Sequence, residues 1–172
     1  MPFLVNIDDA QKRRAIVALA VMVPAVILCL WTGKRIFYSL SPSLGYKLFW
    51  LTPVKSGQEI LPGDYVLFPA PKVYSQLAGI NLPDSAKAMK RVKCNDGQTL
   101  TLQGRNFFCD NIFIGQAKEK TISGKPLTLF VFNGVIPDGK LFVMGNHRDS
   151  YDSRYMGFID RNSVEATGTP LL

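Results

Sequence analysis

Histidine is nearly missing from this sequence of 172 residues, in which His147 is the only one. A serine protease of the Ser–His–Asp type would need this residue as its general base. Asp149 and Asp152 lie close to it along the chain, but the surrounding stretch GNHRDSYDSR is typical of a polar loop. An exposed loop histidine is therefore the simpler interpretation, and a hydrolase with this sequence would use a base of another residue type.

Cysteine is scarce as well, with three in the chain. Cys29 lies in a long apolar run, which leaves Cys94 and Cys109 as a possible pair, fifteen residues apart. They flank a strand–turn–strand pattern, so they are either a disulfide or two small buried thiols. A disulfide would imply an oxidising compartment. Further Cys or His ligands for zinc are missing, and we predict neither a metal nor a cofactor.

The basic residues show no clustering, although the net charge is +7 and the pI is about 9.4. They form neither a helical stripe nor an RNA-binding signature, which argues against a nucleic-acid partner. Proximity to anionic lipid explains the positive charge better. We therefore expect a lipid bilayer, and no nucleic acid, among the partners.

Formal charge is missing from the 19 residues Ala15–Gly33. A helix of that length spans about 28 Å at ~1.5 Å per residue, close to the hydrocarbon thickness of a bilayer. The run is longer than the apolar part of a cleavable signal peptide, and no small-x-small pair closes it. We predict an uncleaved transmembrane anchor at 15–33. Three basic residues precede it and two follow, which favours a cytoplasmic segment 1–14.

The remainder of the chain, 39–172, predicts one mostly β domain. Runs rich in Val, Phe, Leu and Ile alternate with turn residues, as expected for strands. These runs are DYVLF, AMKRVKC, QTLTLQG, NFFCDNIFIG, LTLFVFNGVI and KLFVMGNH. The segment from Lys72 to Ala88 instead predicts a short helix or a lid between two strands. Phe49, Trp50 and Leu51 predict an apolar surface facing the membrane.

A serine nucleophile does not require histidine, because a desolvated lysine can act as its base. The run AMKRVKC contains Lys90 inside an apolar strand, and alternation places it on the same face as Val92. Serines at alternate positions, Ser39, Ser41 and Ser43, follow the anchor. They are either a solvated linker or the site of the nucleophile.

Four stretches in chain order resemble the conserved boxes of the type I signal (leader) peptidases, membrane-anchored proteases with a serine–lysine dyad. They are SPSLGYKLFW, PGDYVLF, MKRVKCNDGQTL and PDGKLFVMGNHRDSYDSRYMGFI. The last one contains the family's S-x-D-S-R-x-x-G pattern, from Ser150 to Gly157. The resemblance covers about Ser39 to Ile159. It implies a signal-peptidase-like antiparallel β domain after one N-terminal transmembrane helix, with 39–172 as the peptidase domain.

The resemblance also implies roles for individual residues. Ser43 would be the nucleophile, and Lys90 would be its base. The oxyanion would be stabilised by the Ser43 N–H group and by the hydroxyl of Ser41. Ser150 would orient the lysine amine. In the same box, Asp152 would pair with Arg154.

Within the family, the short chain and the nucleophile box look most like the conjugative-transfer branch, which matures pilin precursors. The implied function is removal of the leader of an exported precursor, and the expected precursor is a pilin subunit of a type IV secretion system. The implied location is the bacterial inner membrane, with a single span and the catalytic domain in the periplasm. The alternatives are a housekeeping signal peptidase and a membrane-anchored assembly factor that has lost catalysis. The sequence leaves open whether the product is released or cyclised.

Overall fold

The computed structural model describes residues 8–33, 35–40, 42–55, 57–72, 74 and 82–172. Its contacts divide the chain into two units, Met1–Ile36 and Phe37–Leu172. The first unit contains helix α1 (Asp9–Gly33). This helix begins before the apolar run, because the Ala, Gln, Lys and Arg residues that precede the run are good helix formers. It is long and apolar enough to cross a membrane, and the predicted anchor lies within it.

The second unit is built from eleven short strands in the part of the chain that the structure describes. They are β1 (Ile36–Tyr38), β2 (Leu48–Pro53), β3 (Tyr65–Pro69), β4 (Lys87–Asn95), β5 (Thr99–Gln103), β6 (Asn106–Cys109), β7 (Ile112–Gln116), β8 (Gly134–Val135), β9 (Lys140–Met144), β10 (Ile159–Asp160) and β11 (Ala166–Pro170). The helical pieces are α2 (Ser153–Met156) and two 3-10 helices, Pro42–Leu44 and Arg161–Ser163. The prediction of a mostly β domain is confirmed.

The strands form two antiparallel sheets. The larger has the order β1-β2-β11-β3-β4-β9-β10, and the smaller has the order β7-β6-β5-β8. β4 pairs with β3 on one side and with β9 on the other. Its alternating side chains enter apolar clusters, with Ala88 and Val92 in one cluster and Met89 in another. Lys90 shares a face with Ala88 and Val92, so the fold places it inside the domain.

The hairpin of β6 and β7 illustrates how local sequence sets the register of the smaller sheet. Asp110 and Asn111 both have positive φ angles, 47° and 65°, which a two-residue type I′ turn requires and which Asp and Asn tolerate. The turn places Cys109 opposite Ile112. Because side chains alternate along a strand, Phe107 and Cys109 face the same buried cluster.

One predicted strand is wrong. Of the run LTLFVFNGVI, residues 127–136, only Gly134–Val135 forms a strand. The preceding residues form no strand, and their main-chain hydrogen bonds go to partners outside the two sheets. Leu127 N donates to Glu119 O at 2.8 Å, and Phe130 N donates to Arg154 O at 2.9 Å. The run is apolar because its side chains pack on a buried cluster, and a short apolar run does not by itself specify a sheet partner.

The predicted membrane-facing apolar surface needs a correction too. Phe49 is fully buried, where its ring packs 5.2 Å from that of Tyr65. Trp50 and Leu51 are half-buried. Phe49 is therefore a core residue of the β domain. Of the segment Lys72–Ala88, predicted as a helix or a lid, residues 73 and 75–81 lie outside the described residues. Lys87 and Ala88 belong to β4.

Cys94 and Cys109 form a disulfide in the structure, with their Cα atoms 5.7 Å apart. Cys94 belongs to β4 and Cys109 to β6, so the bond joins the larger sheet to the smaller one. Both residues are buried in the same apolar cluster. Of the described cysteines, Cys29 is free.

Reduction of this disulfide should lower the melting temperature of the full-length protein in detergent by about 10 °C. A bridge across fifteen residues stabilises by about 3 kcal/mol in the chain-entropy model, and 1 kcal/mol corresponds to roughly 3 °C at this size. The double variant Cys94→Ala, Cys109→Ala should show a similar loss without reductant, whereas Cys29→Ala should melt like the wild type. Mass spectrometry that finds both thiols free in protein purified without reductant would contradict the prediction.

Candidate active site

Ser43 lies in a tight turn whose neighbours fix its position. It is the middle residue of the 3-10 helix Pro42–Leu44 and is only 7% exposed. Leu44 is fully buried and belongs to the same apolar cluster as Phe49. Gly45 has a φ of +77°, a left-handed conformation that glycine adopts without steric cost and that lets the chain reverse into β2. The main chain at Ser43 is thus positioned by the buried Leu44 and by the turn at Gly45.

The Lys90 ammonium lies beside the Ser43 hydroxyl. The distance from Lys90 Nζ to Ser43 Oγ is 3.2 Å, and Lys90 Nζ is 2.9 Å from Ser150 Oγ. Lys90 is only 6% exposed, and it stands opposite Val66 of the neighbouring strand. Two serines that are 47 and 60 residues distant from Lys90 along the chain therefore converge on one buried amine.

Burial changes the protonation of this lysine. Desolvation lowers the pKa of Lys90 from its ordinary 10.5 to about 8, the nearby Asp152 carboxylate opposes this decrease, and the Arg154 guanidinium adds to it. A low-dielectric surrounding disfavours the charged form of an amine. A substantial fraction of Lys90 is then neutral near physiological pH, which is the state in which it can accept a proton from a hydroxyl.

Gly145 allows Ser150 to approach the turn Pro42–Leu44, which contains Ser43 and is called the Ser43 turn below. A Cβ atom at position 145 would lie 2.2 Å from Ser150 Oγ and 2.8 Å from Ser43 O. Any other residue would displace the hydroxyl that contacts Lys90. The main-chain N–H of Gly145 donates to Asp152 Oδ2 at 2.8 Å, so both sides of this glycine are occupied.

The loop after Gly145 also binds the Ser43 turn through hydrogen bonds. Asn146 Nδ2 donates to Leu44 O at 2.7 Å, and His147 N donates to Ser43 O at 3.0 Å. The amide of Asn146 matters here, because a carboxylate at this position could not donate this hydrogen bond. Sequence reasoning missed Gly145 and Asn146 as positioning residues, because the Ser43 turn that both approach lies about a hundred residues away along the chain.

Asp152 and Arg154 form a buried ion pair below this loop. Arg154 Nη2 lies 2.8 Å from Asp152 Oδ2, and Arg154 Nε lies 2.8 Å from Asp152 Oδ1. The guanidinium also donates to Gln116 O and Ser150 O. Asp152 is fully buried and Arg154 is 3% exposed. The pair therefore connects the loop that carries Ser150 to the rest of the domain.

The ring of His147 lies on the surface, with 48% of its side chain exposed. Its Nδ1 accepts a hydrogen bond from the Asp149 N–H group at 3.2 Å. Asp149 itself pairs with Lys118, and the hydrogen bond from that lysine lowers the pKa of the carboxyl group. Asp149 is therefore paired with a lysine, and the His147 ring is exposed to solvent. Both findings agree with the interpretation of His147 as an exposed loop residue.

A cleft of about 700 Å³ contains Ser43, Lys90 and Ser150 in its wall. The remaining wall is largely apolar and aromatic, with Leu82, Leu127, Tyr74, Tyr151 and Tyr155 among its residues. Tyr74 donates through its hydroxyl to Tyr151 O at 3.0 Å, and burial raises the pKa of its phenol. Apolar walls with a few convergent polar groups are typical of binding sites.

The structure thus brings together Ser43, Lys90, Ser150 and the pair of Asp152 and Arg154, all of which the sequence had pointed to. Ser41 lies outside the described residues. The chemistry available to this arrangement is attack by a serine hydroxyl with a neutral amine as the base. Ser43, Lys90 and Ser150 present these groups in the wall of the cleft.

Comparisons with known proteins identify the family of this chain. A family model described as signal peptidase, peptidase S26, matches residues 10–171 of the chain. Among solved structures, the chain is similar to a signal peptidase I from Enterococcus faecalis V583, at 22% identity and a TM-score of 0.41. That alignment covers 67% of this chain and 98% of the other. Among curated proteins, no sequence matches this chain.

Proposed function

Because this chain belongs to the signal peptidase family, peptidase S26, whose members remove leader peptides from precursor proteins, we propose that Ser43 and Lys90 form its catalytic dyad. The observation that carries the proposal is the 3.2 Å contact between Lys90 Nζ and Ser43 Oγ in a buried setting. Ser150 orients the amine through its own 2.9 Å contact. Asp152 and Arg154 keep the Ser150 loop in position.

In the first half of the reaction, Ser43 Oγ attacks the carbonyl carbon of the scissile peptide bond while Lys90 Nζ takes the hydroxyl proton. The Ser43 N–H group and the hydroxyl of Ser41, assigned on sequence position, donate to the oxyanion. Such donors each contribute about 10²–10³-fold to the rate. Lys90 then gives its proton to the leaving amine, which releases the mature protein and leaves the leader as an ester on Ser43.

In the second half, a water molecule attacks the ester carbonyl and Lys90 accepts its proton. Collapse of the tetrahedral intermediate returns a proton to Ser43 Oγ and frees the leader peptide. One amine thus serves as base and acid in turn, which requires a pKa close to the working pH. The lowered pKa of Lys90 suits it to both tasks.

The setting and substrate are part of the same proposal. α1 fits a membrane anchor, and we place the protein in the bacterial inner membrane with residues 1–14 in the cytoplasm and the peptidase domain in the periplasm. The disulfide between Cys94 and Cys109 supports an oxidising compartment. The precursor is a pilin subunit of a conjugative type IV secretion system, a choice supported by the resemblance of the nucleophile box to that branch of the family.

Processing by membranes that contain the full-length protein tests this substrate. A conjugative pilin precursor and a general exported precursor are incubated separately, and leader removal is followed by mass spectrometry. We expect cleavage of the pilin precursor and little cleavage of the other. Equal cleavage of both would indicate a housekeeping peptidase. Cleavage of neither, in membranes where the domain is folded, would favour an inactive assembly factor.

Activity should rise with pH, because Lys90 must be unprotonated to act as a base. With its pKa at about 8, kcat/KM should reach half of its plateau near pH 8 and decline about tenfold per pH unit well below that. His147→Gln should leave both the plateau and the midpoint almost unchanged. A midpoint between pH 6 and 7 that disappears in His147→Gln would instead identify a histidine base.

A further inference from the structure

The ionisable side chains along the cleft are mostly basic. Lys90, Lys118, Lys120 and His147 line it, whereas Asp149 is the one acidic residue in its described wall. Asp149 pairs with Lys118, and Lys90 contacts two serine hydroxyls. Among the residues that the structure describes, the Lys120 ammonium has neither an ion pair nor a side-chain hydrogen bond. Lys120 is therefore an exposed cation of the cleft wall that no described carboxylate pairs with.

The main chain around Lys120 is well ordered by hydrogen bonds. Lys120 forms a β-bridge with Pro126, and Leu127 N donates to Glu119 O at 2.8 Å. At the tip of this turn, Thr121 N donates to Lys125 O at 2.8 Å. The cation is thus carried by a small hairpin that forms part of the cleft wall.

We propose that Lys120 is a specificity-determining residue, which selects precursors with an acidic side chain in the segment that enters the cleft. The inference rests on the proposed function, since it takes this cleft as the place where the precursor binds. An Asp or Glu side chain on that segment would pair with Lys120 beside apolar walls, where the attraction is stronger than in open water. A lysine at the same position would be repelled.

The strength of the preference for an acidic residue depends on how exposed its ion pair with Lys120 is. An exposed ion pair alters affinity by a factor of about 1.5–5, and partial exclusion of water increases this. Lys120 is exposed in the free protein, and a bound peptide would cover part of it. We therefore expect a preference of about 3–10-fold for Asp over Asn at the position that meets Lys120, with Lys less favoured than Asn.

The test uses fluorogenic peptides with small residues at −1 and −3, as the resemblance to the signal peptidases implies. Asp, Asn or Lys is placed at one other position at a time between −5 and +5. The full-length protein in detergent should cleave the Asp peptide fastest at one position or two adjacent ones, measured as kcat/KM. Lys120→Gln should remove the preference, and Lys120→Glu should reverse it so that Lys becomes best. Lys125→Glu is the matched control, because Lys125 belongs to the same turn but does not line the cleft; it should keep the wild-type order.

Peptide binding to the Ser43→Ala variant, followed by fluorescence anisotropy, separates this inference from the proposed function. An Asp preference in binding that Lys120→Glu reverses supports the inference even if no peptide is cleaved, in which case the peptidase proposal alone fails. Cleavage that shows the same rate for Asp, Asn and Lys at every position overturns the inference and leaves the peptidase proposal standing. A preference unchanged in Lys120→Glu also overturns it.

Discussion

Replacing Lys90 with methionine is expected to abolish leader removal, with a loss in kcat of at least about 10³-fold. Methionine keeps an unbranched side chain of similar length and lacks the amine that takes the proton from Ser43. General bases contribute about 10²–10⁴-fold, and a buried serine without its base is a poor nucleophile. Ser43→Ala should lose as much, and the double variant should be no worse than either, because the two groups act as a unit.

The matched control for Lys90→Met is Lys93→Met on the same strand. Lys93 is half-buried and stands three residues from Lys90, so its replacement tests whether any lysine of β4 matters. We expect Lys93→Met to retain most of the activity. Full precursor processing by Lys90→Met would rule out the serine–lysine dyad.

The stability of Lys90→Met shows whether its inactivity arises from misfolding. Because burial lowers the Lys90 pKa from 10.5 to about 8, the unfolded chain binds more protons than the folded chain between these pH values. The lysine therefore makes the free energy of unfolding of the wild type increase from pH 8 to pH 10.5. Lys90→Met lacks this dependence and should melt at the same or a higher temperature than the wild type at pH 7. A lower melting temperature would contradict this expectation.

Replacing Asp152 with alanine should cost about 3–5 kcal/mol of stability, the second large effect that we expect. It leaves the buried Arg154 guanidinium without its counter-charge, and breaking a buried ion pair is costly for that reason. It also removes the acceptor of the N–H group of Gly145, the glycine that approaches the Ser43 turn. Urea unfolding of the full-length protein in detergent measures the loss.

Asp152→Asn retains the shape of the side chain and adds a readout on the active site. Since the Asp152 carboxylate raises the pKa of Lys90, its removal should move the midpoint of the pH–activity profile below 8. The exposed ion pair of Lys140 and Asp160 offers a comparison, because Asp160→Asn should cost no more than about 1 kcal/mol and leave the profile unchanged. A midpoint that stays at 8 in Asp152→Asn would show that this carboxylate has no influence on the base.

The family and the general fold could be predicted from the sequence because the signals for them are local. The motifs from SPSLGYKLFW onward indicated a signal peptidase, and the match to residues 10–171 confirms this. The run 127–136 shows where local reasoning fails. Five of its apolar side chains pack in or against a buried cluster, those of Leu127, Leu129, Phe130, Phe132 and Ile136. The main-chain partners, however, are Glu119 and Arg154, which no pattern within the run could indicate.

The sequence by itself determined the helix that fits a membrane anchor, the β6–β7 turn at Asp110 and Asn111, and the residue types of the candidate site. Each of these depends on neighbours along the chain, through hydrophobic length, backbone preference or motif. Only the tertiary structure decided that Lys90 Nζ lies 3.2 Å from Ser43 Oγ, that Asn146 holds Leu44 O and that Cys94 meets Cys109. The pKa of an amine depends on how much water surrounds it and which charges are near, and these are set by residues distant in sequence.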